Sequence, residues 1–305
     1  MSEFKCISCF SYKGGAGRST LAINVVPFLA EMLKATEEHP FVLVDMDIDS
    51  CGLTYLFNLH LKNTRDVSVQ GWFHPKYPNM PIVDDDEIEV ATEHEMFKRL
   101  FPVGNFFGFP AGAILCLPAN PGETMGNESN YDAAQSSNVN TFKKICKDIA
   151  CGVLFDSAVG NQLTANWSNS CASHIMCCMR PTRQFREGTS RFFDLYDGKT
   201  HSKKIIVIPN VVPTDYLVLR DEGGAERAYP GYAKGEILRD FSGREERRNN
   251  TYILDLLEGD KFGVPKIDRF MWQEGVLNNY RSELSDLERV ALERYREIAE
   301  IIVNS

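Results

Sequence analysis

The residues best suited to chemistry stand together near the start of the chain. "SYKGGAGRST", residues 11–20, holds Gly14, Gly15 and Gly17, the cations Lys13 and Arg18, Ala16 and the Ser19–Thr20 pair. Glycines take backbone conformations closed to other residues, so successive N–H groups can point into one concavity and bind an anion. An apolar run precedes the loop and a helical pattern follows it, which adds the positive end of a helix. The template is that of a phosphate-binding loop, except at Tyr12, where glycine is usual, and at Arg18, where lysine is usual. Chance would produce such a match on the order of 10⁻⁴ of the time, which sets an ordinary glycine turn aside. In this reading Arg18 reaches the β- and γ-phosphates of a nucleoside triphosphate and the Ser19 hydroxyl takes Mg²⁺.

Phosphoryl chemistry needs a bound cation, positive donors and a positioned water more than it needs covalent catalysis. Carboxylates for that task stand at the ends of apolar runs: Asp45 and Asp47 in "FVLVDMD", and Asp156 in "CGVLFD". Strand C-termini are where α/β sheets place their sites. The plainer reading of such a carboxylate is a cap for a helix or turn, and Asp49 is read that way. Asn210, with Pro213 close by, reads as a turn asparagine.

Around these residues, short β-rich runs alternate with longer helical ones. Strands are predicted at 4–10, 41–46, 112–117, 151–156, 173–179 and 204–209. Helical spacing covers "STLAINVVPFLAEMLKATEE", with Pro27 an irregularity, then "NTFKKICKDIA" and "SELSDLERVALERYREIAEIIV", where Ser282 is the expected N-cap. The pattern predicts an α/β fold: one P-loop NTPase domain over 1–305, with a mostly parallel twisted sheet and helices on both faces. Two regions, near 83–138 and 220–250, read as surface elaborations. They include the acidic, solvated 83–95, the polar loop 120–138 and an arginine-rich stretch.

With 305 residues and 43% hydrophobic content, the chain can bury a large core. Its net charge of -9 excludes a wholly basic nucleic-acid binder. No run is long and apolar enough to span a membrane, and no basic, cleavable leader opens the chain, so an intracellular, cytoplasmic protein is expected. The nine cysteines lie mostly in apolar segments, as buried free thiols do.

Lysine at the second place of the loop is a signature of the deviant phosphate loop, and "YKGGAGRSTLAINV" resembles the ParA/MinD family of ATPases, in an arginine-bearing KGGxGR form. "FVLVDMDIDSCGLTYLF" and "CGVLFDSAVG" look like that family's second and third motifs. "KIIVIPNVVP" and "VPKIDRFMWQEGV" are similar to its late segments near the base, so the resemblance runs from about 4 to 300. It implies that residues 13–20, Asn210 and Pro213 bind ATP or ADP, and that Asn210 faces the adenine. It makes Asp47 the residue that orients the attacking water, and Ser19, Asp45 and Asp156 the Mg²⁺ holders, the aspartates through water. Lys13 is implied to cross to the nucleotide of a second copy, so that two chains dimerise face to face around ATP. Hydrolysis would then reset an interaction with a protein partner.

Arginine is planar and bidentate where lysine is a point charge, so Arg18 implies a slow ATPase. The alternative is a nucleotide-sensing subunit of a multi-protein complex, such as a bacterial defence or signalling system, with weak or no turnover. The final helix lacks a basic amphipathic tail, which argues against membrane docking. Arg239, Arg244, Arg247 and Arg248 could touch DNA phosphates, but Asp240, Glu245 and Glu246 dilute them into a mixed-charge surface.

Overall fold

A computed structural model describes residues 3–73, 97–123, 134–160, 162–196, 203–213, 218–220, 226–228, 234–237, 239–241, 251–252, 263–271 and 275–305. The acidic stretch 83–95, most of the polar loop 120–138 and most of 220–250 fall outside them. The strands are β1 (Lys5–Ser11), β2 (Phe41–Asp45), β3 (Phe101–Pro102), β4 (Ile114–Leu117), β5 (Gly152–Val159), β6 (His174–Met179) and β7 (Lys204–Pro209), followed by the short β8 (Val218–Arg220), β9 (Glu226–Ala228) and β10 (Thr251–Tyr252). The helices are α1 (Arg18–Met32), α2 (Gly52–Leu56), α3 (Val69–Phe73), α4 (Ala134–Ile149), α5 (Leu163–Cys171), α6 (Arg183–Tyr196) and α7 (Asp286–Asn304). All six strands expected from the sequence form, within a few residues of their predicted bounds.

Contacts divide the chain into two compact units, Met1–Ser8 with Leu29–Ala172, and Cys9–Phe28 with Ser173–Ser305. In the first unit the strand order is β5-β2-β4-β3, parallel except for β3. Alternate residues of β2 and the turn after it, Val42, Val44 and Met46, enter a core with Trp72, Phe73, Phe142 and Phe155. Phe142 lies at its centre, edge-on to Phe73 at 5.4 Å and to Phe155 at 6.5 Å between ring centroids. Beneath α5, Ser8 shares hydrogen bonds with Ser157 at 2.8 Å and Asn169 at 2.7 Å, so this buried polar set is largely satisfied.

In the second unit β10, β7 and β6 run parallel in that order. Residues 21–30 of α1 are all buried, which suits a helix that is apolar all round. Pro27 lies inside it and the helix nonetheless runs on to Met32. Asn24 in α1 is a polar exception: its amide donates to Thr20 and Gly275 carbonyls, and its oxygen accepts from Leu277 N–H at 2.8 Å. It thereby fastens the late segment 275–277 to the helix.

α7 buries Ala291, Tyr295, Ile298, Ala299 and Ile302, a stripe at helical spacing. Its N-cap is Ser285 and not Ser282. Ser285 and Glu288 form a reciprocal capping box, which satisfies two orphan N–H groups and so fixes the start three residues later than expected.

Candidate functional site

The residues expected to do chemistry fall into two groups, one in each unit. In the second unit, the loop between β1 and α1 is shaped by Gly15 (φ +79°) and Gly17 (φ +80°). A side chain at Gly17 would be strained by its φ, and its Cβ would meet Asn210 Nδ2 at 2.8 Å. Gly17 also starts the helix, since its carbonyl accepts the Leu21 N–H at 2.9 Å. At the first place of the loop, Tyr12 replaces the usual glycine because its ring packs on Gly188 of α6. A Cβ there would come within 2.2 Å of the ring.

Lys13 is exposed at the tip, and its ammonium donates to Gln184 Oε1 at 3.2 Å. Arg18, the first residue of α1, is instead only 8% exposed. Ser19 and Thr20 are partly exposed on the first turn.

Asn210, at the end of β7, belongs to this group. Its amide donates to the carbonyls of Ala16 at 2.8 Å and Gly17 at 3.2 Å. Both amide hydrogens are thereby used, leaving Oδ1 as the group that can still accept. Cys178 supports the loop from below, its thiol donating to Ala16 O at 3.1 Å. Beyond Asn210, Val212 bridges Pro265: its N–H donates to Val264 O at 3.0 Å and its carbonyl accepts from Lys266 N–H at 2.8 Å. The two late segments singled out in the sequence therefore lie side by side.

Together they bound a cavity of about 470 Å³ against the loop, lined by Gly17, Thr20, Asn210, Pro213, Pro265 and Phe270 among others. That is the size of a small-molecule site, mostly apolar with a few polar groups. Val211, also on the cavity wall, has φ +55°, a conformation that a β-branched residue rarely holds.

In the first unit the carboxylates converge. β2 and β5 pair in register so that Asp45 lies beside Asp156, and both are fully buried. Asp45 Oδ2 accepts from Thr54 N–H at 2.8 Å and from the Thr54 hydroxyl at 2.7 Å. Its Oδ1 is buried and has no hydrogen-bond partner among the described residues. Burial, reinforced by the charge of Asp156, pushes the Asp45 carboxyl from 3.8 up to about 7.

Asp47 is 6% exposed. One of its oxygens accepts from Ser50 N–H at 3.4 Å, and its backbone carbonyl accepts from Cys51 N–H at 2.7 Å. Cys51 takes a left-handed conformation (φ 49°) as α2 begins, which turns the chain sharply after the carboxylates. Burial and then the charges of Asp45, Asp47 and Asp49 push its thiol up to about 12, which disfavours the thiolate form. Asp49, read as structural, is exposed and accepts from Gln162 at 3.3 Å. Gly160, matched to the third motif, has φ +61°.

A cation would fit the Asp45 and Asp156 pair, because it would compensate a buried carboxylate oxygen that now has no donor. No ready-made cluster of three or more His, Cys, Asp or Glu ligands occurs among the described residues. Thr54 was not anticipated, since nothing in its spacing announces a donor nine residues after the strand. Arg180, one residue past β6 and also on the cavity wall, was missed although its place at a strand's C-terminal end was visible.

No family model matches the sequence, and no curated protein matches it. Solved structures do match its fold. The pNOB8 ParA structure superimposes with a TM-score of 0.65 at 13% identity, covering 98% of this chain and 98% of that one. A McdA variant from Cyanothece in complex with ATP gives 0.56 at 12% identity, covering 100% and 98%. The septum site-determining protein MinD from Pyrococcus horikoshii, complexed with Mg-ADP, gives 0.51 at 14% identity, covering 99% and 96%. The chain thus has the α/β P-loop fold of the ParA, McdA and MinD proteins.

Proposed function

We propose that the chain is a ParA/MinD-type ATPase switch that binds Mg·ATP, dimerises around it and uses slow hydrolysis to reset a protein partner. The observation that carries this reading is the loop of residues 12–17 beside a cavity of ligand size, with Asn210 joining the two. ATP and Mg-ADP are the ligands of similar folds. In this reading the backbone of residues 13–17 binds phosphate, together with Arg18, Ser19 and Thr20. The apolar wall takes the base, with Asn210 Oδ1 able to accept from an exocyclic amino group, and Pro213 flanks it. Mg²⁺, held by Ser19 and through water by Asp45 and Asp156, would neutralise charge that develops on the phosphates. Asp47 orients the attacking water, and the exposed Lys13 is placed by its resemblance to reach the nucleotide of a second copy.

No helix among the described residues is long and apolar enough to cross a membrane. All nine cysteines are free and buried, which supports a reducing, cytoplasmic setting. A single observation favours the second reading, a nucleotide-sensing subunit with vestigial turnover: Arg18, at the place where lysine is usual, is only 8% exposed. The pairing of Arg239 with Glu236 at 2.6 Å leaves DNA binding without added support.

Phosphate release and size in solution test the proposal. The switch requires ATP turnover that Asp47→Ala abolishes, and an ATP-dependent dimer that Lys13→Ala weakens. Tight ATP binding with no turnover in the wild type supports the sensing subunit. Equal dimerisation of Lys13→Ala and wild type would remove the cross-dimer role.

A further inference from the structure

Three cations approach the cavity and its loop with different partners. Lys13 donates to Gln184, and Lys266 pairs with Asp268 at 3.0 Å. Arg180 forms no ion pair among the described residues. It is exposed, yet it does not dangle from a loose loop. Its neighbour Met179 accepts the Asn210 N–H at 2.8 Å. Pro181 follows and fixes the next φ, and its carbonyl accepts from the buried Arg186. The base of Arg180 is therefore rigid.

Its guanidinium lies against the glycine face of the loop, where a methyl group built on Gly15 would be 4.0 Å from the nearest guanidinium nitrogen. Among the described residues, no Asp or Glu lines the cavity it shares with Gly17, Thr20 and Asn210. An arginine with no ion pair among the described residues, beside a glycine-rich loop and on a wall whose described residues include no carboxylate, is suited to a polyanion. Its planar fork matches two phosphate oxygens at once.

We propose that Arg180 binds the phosphate chain of the nucleotide, as a cation additional to Lys13 and Arg18. The inference rests on the nucleotide reading of the cavity. It makes β6 a contributor of phosphate contacts, so that recognition does not depend on the glycine loop alone.

The test is calorimetric titration of wild type, Arg180→Ala and Arg180→Lys with Mg·ATP, Mg·ADP and adenosine. Loss of one charge-assisted contact weakens ATP and ADP binding at least about tenfold in Arg180→Ala, while adenosine binds as to wild type. Arg180→Lys, which keeps the charge and loses the fork, falls between. If Arg180→Ala binds ATP as tightly as wild type, this role is overturned and the nucleotide reading stands. If adenosine weakens by the same factor as ATP, Arg180 shapes the base pocket and the phosphate role is overturned. If wild type binds no nucleotide, both readings fall together. Because the side chain is exposed, the alanine variant is expected to fold, and an unchanged melting temperature checks this.

Discussion

The loop of the second unit and the strand ends of the first differ in the kind of charge that they present. The loop offers backbone N–H groups, held by two glycines at positive φ, with cations at its margin. Lys13 is exposed there, and Ser19 and Thr20 are partly exposed. The strand ends instead bury Asp45 and Asp156 side by side, with Thr54 as a donor to Asp45. There the difficulty is excess negative charge, and it is met by raising the Asp45 carboxyl to about 7. A backbone cradle can be ready before its ligand arrives because amides are neutral. A carboxylate pair is not, since both charges are stable only with a cation or with a shared proton.

The contrast predicts opposite responses to mutation. The largest effect belongs to Asp45. Folded, it takes up its proton near pH 7; unfolded, near 3.8. Folding therefore binds a proton between those values, and this carboxyl lowers stability progressively as pH rises from about 4 to about 7, with the full reduction above. Asp45→Asn removes that penalty, so without Mg²⁺ it is expected to be more stable than wild type by up to about 4 kcal/mol at pH 8. The gain shrinks toward pH 4. Denaturant unfolding at pH 5 and pH 8 measures it, and a gain that does not vary with pH would discard the buried-charge account.

In the loop the same approach destabilises. Gly17→Ala forces a side chain into a left-handed conformation and toward Asn210, at a loss of about 2–3 kcal/mol. Its nucleotide binding is expected to collapse as well, which calorimetry with Mg·ADP would read. Retained binding would mean that the backbone cradle is not the ligand's main hold.

Val211→Gly gives a smaller change in the other direction. It relieves the positive φ of a β-branched residue on the cavity wall and stabilises the chain by about 1 kcal/mol. A loss of stability would show that the Val211 side chain contributes more by packing than its backbone loses. Ser285→Ala, which removes half of the α7 capping box, lowers stability by about 1 kcal/mol. It serves as the control, because nucleotide affinity should not move with it. A parallel fall in affinity would mean that global stability accounts for the loop variants too.

Much of the fold was legible because apolar strands and helical spacing write themselves into local sequence. "FVLVDMD", "CGVLFD" and "KIIVIP" end where β2, β5 and β7 end, within a few residues. The N-cap of α7 was misread because Ser282 and Ser285 both offer a capping hydroxyl, and only the glutamate at Glu288 completes the box with Ser285. In sequence Asn210 fits a turn and, by the family resemblance, a base contact, since its choice of partner depends on where β7 ends relative to the loop. Tyr12 looked like a defect in the motif until Gly188 appeared beneath its ring.

By itself the sequence determined the glycine loop, the helix that follows it and the carboxylates at the strand ends, because these depend on residue type and short-range spacing. Tertiary structure alone decided that Arg180 lies against Gly15, that Thr54 donates to Asp45 and that Asn210 holds the loop carbonyls. Each joins residues brought close only by packing, from the nine-residue separation of Asp45 and Thr54 to the far longer one between Asn210 and Ala16. Burial decided the rest. The raised proton affinity of Asp45 comes from desolvation and a neighbour on the adjacent strand, neither of which leaves a trace in the order of amino acids.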